Sequence, residues 1–371
     1  MTPLLSIGAL NVTPYSLMIL LGALAGTALS LRRKKIRPLL PAVILGALVF
    51  GHIVWVLFCP YDYEAPEGKL YMVLRPWEGG YTIYGALLGG ALGALVAGKL
   101  AGVRWLDALD ALAPGACAVI VFARIGEVFT GEGIGRGAEV DWTHFFPFSV
   151  CVYRDEYFEE WRYVVWFWEA LAALILLVLL LKNEKKAPRG HQTALFLTFL
   201  GATQILLEQM RRDTYLRLIV FVRLNQLAAL TTLIAVLVVL LVKNRPGIAK
   251  VSWCLATLVL ASLADMASEF VFDKYEYAFW LFLSMPLAAA ACAGMLWVWK
   301  KKAGLPPALV ICAVTAVLLI AYGTRTWDEF ELEPAEDMLR FAILYGTMAV
   351  DLTCIALAIR LNLLRDAGKL M

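Results

Sequence analysis

The sequence predicts an all-α polytopic membrane protein of about eleven transmembrane helices, with its N-terminus outside, its C-terminus inside and a small cap on the outer face. Three observations carry that prediction: how apolar the chain is, how long its apolar runs are, and where its lysines and arginines fall. Of 371 residues, 61% are hydrophobic and 17% are charged, with a mean hydropathy of +0.74. Soluble domains carry roughly 25% charged residues. A soluble enzyme is excluded on that ground, and no nucleic-acid partner is expected.

Apolar runs close to the ~20 residues that cross a hydrocarbon core lie at 15–31, 39–58, 83–102, 107–123, 164–181, 192–207, 225–242, 251–266, 277–298, 305–323 and 342–362. The runs at 107–123 and 192–207 are the shortest or carry polar residues. With the N-terminus outside, the inner segments hold Arg32 to Lys35 and Arg37, then Lys99 and Arg104, Lys182 to Arg189, Lys243 to Lys250, Lys300 to Lys302, and Arg360 to Lys369. They contain 20 of the 33 basic residues, as the positive-inside bias requires. The alternate loops are acidic, with Asp62, Glu64 and Glu67 in one and Asp328, Glu329, Glu331, Glu333, Glu336 and Asp337 in another. The N-terminal segment lacks a basic leader and a small-residue cleavage site, so the first span is expected to be retained.

Basic residues on the outer side run against the bias, and they cluster at Arg124, Arg136, Arg154 and Arg162, then at Arg211, Arg212, Arg217 and Arg223. Two causes fit: counter-charge for nearby glutamates and aspartates, or an anionic headgroup at the outer leaflet, for which the arginine fork is suited. The stretch Ala123 to Arg136 is the sharpest interruption, with two arginines, two glutamates and four glycines. Ionisable groups at membrane depth are costly unless they pair, reach water or meet a ligand. A second interruption covers 204–226, where Gln204, Glu208 and Arg211 share a face if the helix continues through them. Facing Arg124, that segment would enclose a polar pocket.

Glycines 85, 89, 90, 93 and 98 in the third span are read as close helix packing. The aromatic and charged segment 137–162 is read as the outer cap, with rings at headgroup level. Asp107 and Asp110 are expected at the inner surface, capping a helix. Three histidines at 52, 144 and 191 have no spacing suited to a metal, and no metal is expected. Cys59 and Cys151 alone lie near the outer face, and a disulfide between them is compatible with that placement. The last 120 residues differ in texture, which divides the chain into a first domain at 1–247 and an appended four-helix transmembrane unit at 248–371.

From Trp77-Glu-Gly-Gly-Tyr-Thr-Ile-Tyr-Gly-Ala-Leu-Leu-Gly89 through the Arg124 to Arg136 stretch, the chain resembles the bacterial prolipoprotein diacylglyceryl transferases. That family's pattern runs Trp-Glu-Gly-Gly, then His-Gly or Tyr-Gly, then Gly-Arg-Ile-Gly-Asn-Phe-x-Asn-Gly-Glu-x-x-Gly-Arg, then Arg-x-x-x-Glu-x-x-Arg. The resemblance extends over about 8–243. It implies transfer of the diacylglyceryl group from phosphatidylglycerol to the lipobox cysteine of a prolipoprotein, at the outer face of the bacterial cytoplasmic membrane, without a cofactor. Its partners would be a membrane phospholipid and a prolipoprotein acceptor.

By the same resemblance, Tyr84, Arg124, Glu127, Glu208 and Arg211 are the residues expected at the reacting centre. Tyr15, His52, Gly85, Gly126, Thr130, Glu132, Gly135, Arg136 and Gln204 are those expected to bind substrate. Arg124 and Arg211 would hold phosphate, Tyr15 and Tyr84 would line the centre, and Glu132 and Glu208 would orient the arginines. Glu169 stands where the family has the glutamate of Leu-Tyr-Glu. The departures are Glu127 and Thr130 for asparagines, Gln204 for an arginine and His52 for an arginine. Glu127, Gln204 and His52 each make the site less cationic. Compensation by Arg212, Arg217 or Arg223, or a protonated or Arg124-paired Glu127, would restore an anion site. Two further readings stay open: a paralogue acting on another acceptor, and a non-catalytic lipid-binding or transport protein.

Overall fold

In a computed structural model of the chain, residues 4–7, 10–58, 79–138, 141–155, 158–184, 189–208 and 211 are described, with 217–219, 222–225 and scattered positions from 227 to 239. Six helices dominate: α1 (Pro14–Leu31), α2 (Leu40–Phe58), α3 (Ile83–Leu100), α4 (Trp105–Gly126), α5 (Val165–Asn183) and α6 (His191–Glu208). Each coincides with one of the first six apolar runs. The positions described between 224 and 239 are also helical, where the seventh run was expected, and the four runs after 250 lie outside the described residues.

Helix starts follow local chemistry. Thr13 caps α1 reciprocally: its Oγ1 accepts from the Ser16 amide at 3.2 Å, the Ser16 Oγ accepts from the Thr13 amide at 2.9 Å, and Pro14 stands at the first helical position. Thr82 caps α3 by accepting from Gly85 N at 3.1 Å. Asp110, expected to cap a helix, caps one that is not its own. From the second turn of α4 its carboxylate accepts from Gly190 N at 2.5 Å, Thr193 N at 2.8 Å and Thr193 Oγ1 at 2.6 Å, which satisfies the amides at the start of α6.

Small residues set the helix pairs. A Cβ on Gly89 would stand 2.0 Å from the Gly46 carbonyl oxygen, and one on Gly93 would stand 2.2 Å from that of Ala42, so α2 and α3 touch backbone to backbone. Gly26 and Gly115 bring α1 against α4, where a Cβ on either would stand 2.6 Å from the other's carbonyl oxygen. These pairings run antiparallel. A core of Cys117, Ile120, Val121, Ala173, Leu176, Leu180, Phe196 and Leu200 joins α4, α5 and α6. Leucines such as Leu20, Leu24, Leu45, Leu57, Leu88 and Leu100 remain exposed, a surface suited to lipid. Among the described residues, five helical segments have the length and apolarity to cross a bilayer. The α6 helix, which carries Gln192, Thr193, Gln204 and Glu208, is less apolar than these.

The all-α expectation needs one correction. The cap is a three-stranded antiparallel sheet with the last of its strands in the middle, and single strand pairs flank it in the chain. The pair β1 (Leu5–Ile7) and β2 (Leu10–Val12) precedes α1. The cap comprises β3 (Ile134–Gly137), β4 (Ser149–Arg154) and β5 (Glu159–Val164), and a short pair, β6 (Arg217–Ile219) with β7 (Val222–Arg223), follows α6. Tyr163 is buried at the centre of the cap, and His144 stacks on Trp161 at 4.9 Å. At the loop end of the β4–β5 hairpin, hydrogen bonds from Trp161 and Arg154 hold the Glu159 carboxyl below its ordinary range. Cys151 in β4 is a free thiol, and Cys59 lies outside the described residues.

The sheet connects the C-terminus of α4 to the N-terminus of α5. With the antiparallel pairings, this places the starts of α1, α3 and α5 and the ends of α2, α4 and α6 at the capped end. The opposite end holds Arg33, paired with Glu184 at 3.0 Å, and Arg189, which reaches Asp107 at 2.5 Å.

Candidate functional site

Arg124 lies in the last turn of α4, and each part of its guanidinium meets a different element. Nη1 donates to Glu127 Oε1 at 2.5 Å, Nη2 to Gln204 Oε1 at 3.2 Å, and Nε lies 3.3 Å from Glu169 Oε2. Arg211, three residues beyond α6, forms a bridge with Gly135 of β3. Its Nη1 reaches both Glu127 Oε2 at 3.0 Å and Glu169 Oε2 at 2.6 Å. Gln204 Nε2 closes the ring by donating to Glu169 Oε1 at 2.8 Å. Glu127, Glu169, Gln204, Glu208 and Arg211 are all buried. Such pairs are stable only when geometry and hydrogen bonding offset desolvation, and here every oxygen of Glu127 and Glu169 is taken.

The glycine turn after α4 holds this arrangement. Gly131 and Gly133 have φ of +74° and +70°, a region that side-chain-bearing residues disfavour. The Gly133 carbonyl accepts from Val165 N at 3.0 Å and Trp166 N at 3.2 Å, so it satisfies the first amides of α5. A Cβ at Gly133 would stand 2.4 Å from Glu127 Oε2. Thr130 Oγ1 donates to the Glu127 carbonyl at 3.0 Å and accepts from Glu132 N at the same distance. Gly126 admits the ring of Tyr15, whose Cδ2 would lie 3.0 Å from a Cβ there.

The predicted residues therefore divide. Arg124, Glu127, Gln204 and Arg211 meet directly, with Tyr15, Gly126, Thr130 and Gly135 around them. Glu208 is buried, accepts from Asn225 Nδ2 at 3.3 Å, and lies within electrostatic reach of Arg124. Glu132 and Arg136 are exposed on the turn and on β3. His52, Tyr84 and Gly85 sit on the α2–α3 pair at the capped end. His52 Nδ1 bonds the Gly80 carbonyl at 2.9 Å, the Tyr84 hydroxyl is buried, and Gly85 faces the Phe50 carbonyl. Trp77 and Glu78, Arg212, and the side chains of Arg217 and Arg223 lie outside what is described.

Two residues outside the predicted set belong to the site. Glu169 grips both arginines, and its signal was present as the lone carboxylate within the apolar run 164–181. Gly133 caps α5 and packs on Glu127, and only its place in a glycine-rich turn hinted at this. Beneath the ring of charges lies a cavity of about 10 Å³, lined by Cys117, Ile120, Ala173, Leu176, Leu200 and Thr203 together with Arg124, Glu169 and Gln204. That is near the minimum for one water.

The prolipoprotein diacylglyceryl transferase family model matches residues 3–242, well over half of the chain and all of the site. The chain belongs to that family. Among curated relatives, the phosphatidylglycerol–prolipoprotein diacylglyceryl transferase of Frankia alni is 29% identical over 254 residues, 65% of this chain and 65% of the relative. The chain thus spans just under two thirds of the Frankia protein. The Nostoc transferase of the same name is 27% identical over 261 residues, 66% of this chain and 90% of that protein. The Tropheryma whipplei transferase is 30% identical over 223 residues, 55% of this chain and 79% of the relative. Family membership thus joins a bundle in which five helical segments have the length and apolarity to cross a bilayer.

Proposed function

We propose that the protein transfers the diacylglyceryl group of phosphatidylglycerol to the thiol of a prolipoprotein lipobox cysteine, at the outer face of the bacterial cytoplasmic membrane. The observation that carries this reading is the convergence of Arg124 and Arg211 on one buried site at the capped end of an apolar bundle. In the reaction a bond forms between the thiol sulfur and the terminal glycerol carbon, and the bond from that carbon to the phosphate oxygen breaks. The thiol proton leaves, and glycerol phosphate departs.

Arg124 and Arg211 would hold the phosphate and offset the charge that grows on it. Tyr15 and Tyr84 would line the reacting centre, while Glu169 would hold both arginines and Glu208 would act on Arg124 through its charge. Residues Gly126, Thr130 and Gly135 would shape the site, and His52 and Gly85 would set the adjoining α2–α3 wall. Holding thiol and glycerol carbon in line supplies a large part of such catalysis. Residues 248–371 form an appended unit in this reading, supported by the family match ending at 242.

One observation favours a second reading, a paralogue using another lipid or acceptor. Two guanidiniums face three carboxylates, Glu127, Glu169 and Glu208, so the cluster has no net positive charge when all are ionised.

The test is incubation of purified full-length protein with phosphatidylglycerol and a lipobox peptide, read by mass spectrometry. A diacylglyceryl thioether that falls at least a hundredfold with Arg124→Ala is the expected result, given about 2.7–4 kcal/mol for one charge-stabilising donor. Binding of phosphatidylglycerol without product would favour the second reading.

A further inference from the structure

We infer that Glu127 is an internal competitor for the donor phosphate and sets how strongly the site prefers an anionic headgroup. This rests on the donor-lipid reading above. Glu127 Oε1 bonds Arg124 and Oε2 bonds Arg211, so one carboxylate bridges guanidiniums from two elements. Two converging forks make the seat a phosphate would use, since both anions offer paired oxygens to the same donors. The seat is filled by the protein itself.

Glu169 also touches both arginines, yet it does not compete in the same way. It stands in the first turns of α5 and is pinned by a third partner, Gln204. Behind it lies a cavity of about 10 Å³, too small for a headgroup. Glu127, by contrast, lies in a one-turn 3-10 segment between α4 and the Gly131 to Gly133 turn. Its neighbours Val128, Phe129, Gly131 and Glu132 are exposed. A headgroup therefore approaches from the Glu127 side, and Glu127 is the carboxylate that must move. While it remains, an incoming phosphate meets a cluster without net positive charge.

Two consequences follow for binding. A donor lipid is charged the free energy of displacing Glu127 before it gains the arginines. Removing the carboxylate's charge weakens its hold on that seat, with Glu169 still orienting both guanidiniums.

The experiment measures binding of labelled phosphatidylglycerol and phosphatidylcholine to the full-length protein in mixed micelles. Wild type is compared with Glu127→Gln, Glu127→Asp, Glu169→Gln and Arg124→Ala. Glu127→Gln is expected to tighten phosphatidylglycerol by about tenfold or more, the scale of one charge-assisted hydrogen bond, and to widen the preference over phosphatidylcholine. Glu127→Asp, one methylene too short to bridge both arginines, is expected to tighten it less, and it provides the reading if Glu127→Gln does not fold. Glu169→Gln is expected to weaken binding. Arg124-dependent binding in wild type that Glu127→Gln and Glu127→Asp fail to tighten overturns this inference and leaves the donor-lipid reading standing. Equal tightening by Glu127→Gln and Glu169→Gln also overturns it, because net charge alone would then explain the effect. No Arg124-dependent phosphatidylglycerol binding in any form overturns both.

Discussion

Gly133 serves three contacts with one residue: its carbonyl caps α5, its backbone adopts φ +70°, and its Cα lies against the Glu127 carboxylate. Gly133→Ala is therefore expected to destabilise the protein by about 1–3 kcal/mol through strain and to displace Glu127 from Arg211. A lowered midpoint in thermal unfolding together with altered phosphatidylglycerol binding would check it; an unchanged midpoint would show that the turn relaxes freely. Part of this site was legible in the residues alone. Arg124 and Glu127 stand three apart at a helix end, a spacing that predicts their pairing. The grip of Glu169 on both arginines was not legible, because it depends on the depth at which α5 starts, which the cap and Gly133 set. Arg211 was expected on one helical face with Gln204 and Glu208. Instead α6 ends at Glu208, and Arg211 reaches the site from a bridge to Gly135.

The helices were legible because apolar length is a strong signal, and all six described helices fall on predicted runs. The cap was not recognised as a sheet. Its strands Ser149–Arg154 and Glu159–Val164 are short and carry charges, so their alternation is faint beside the surrounding apolar runs. The glycines of α3, read as packing residues, do pack: Gly89 and Gly46 meet with no room for a methyl on either. Gly89→Ala should force α2 and α3 apart at a cost of about 1–3 kcal/mol or more, measurable as reduced detergent-solubilised thermal stability. Retention of full stability would mean that the pair separates without loss elsewhere. The third span also carries Tyr84 and Gly85, so the same variant should reduce activity through the position of α3.

Across the whole molecule, polar function concentrates at one end. The cap, the glycine turn and the ring of Arg124, Glu127, Glu169, Gln204 and Arg211 stand where three helices start and three end, while Arg33, Glu184, Arg189 and Asp107 pair at the other. The orientation expected from the basic residues would put the capped end outside. The central claim is that the seat between Arg124 and Arg211 receives the donor phosphate. The most direct test is an experimental structure of the full-length protein in nanodiscs rich in phosphatidylglycerol. The expected result is a phosphate within hydrogen-bond reach of both guanidiniums, with Glu127 withdrawn from at least one and Glu169 still in place. A headgroup bound elsewhere, with the Glu127 bridge to both arginines intact, would contradict it.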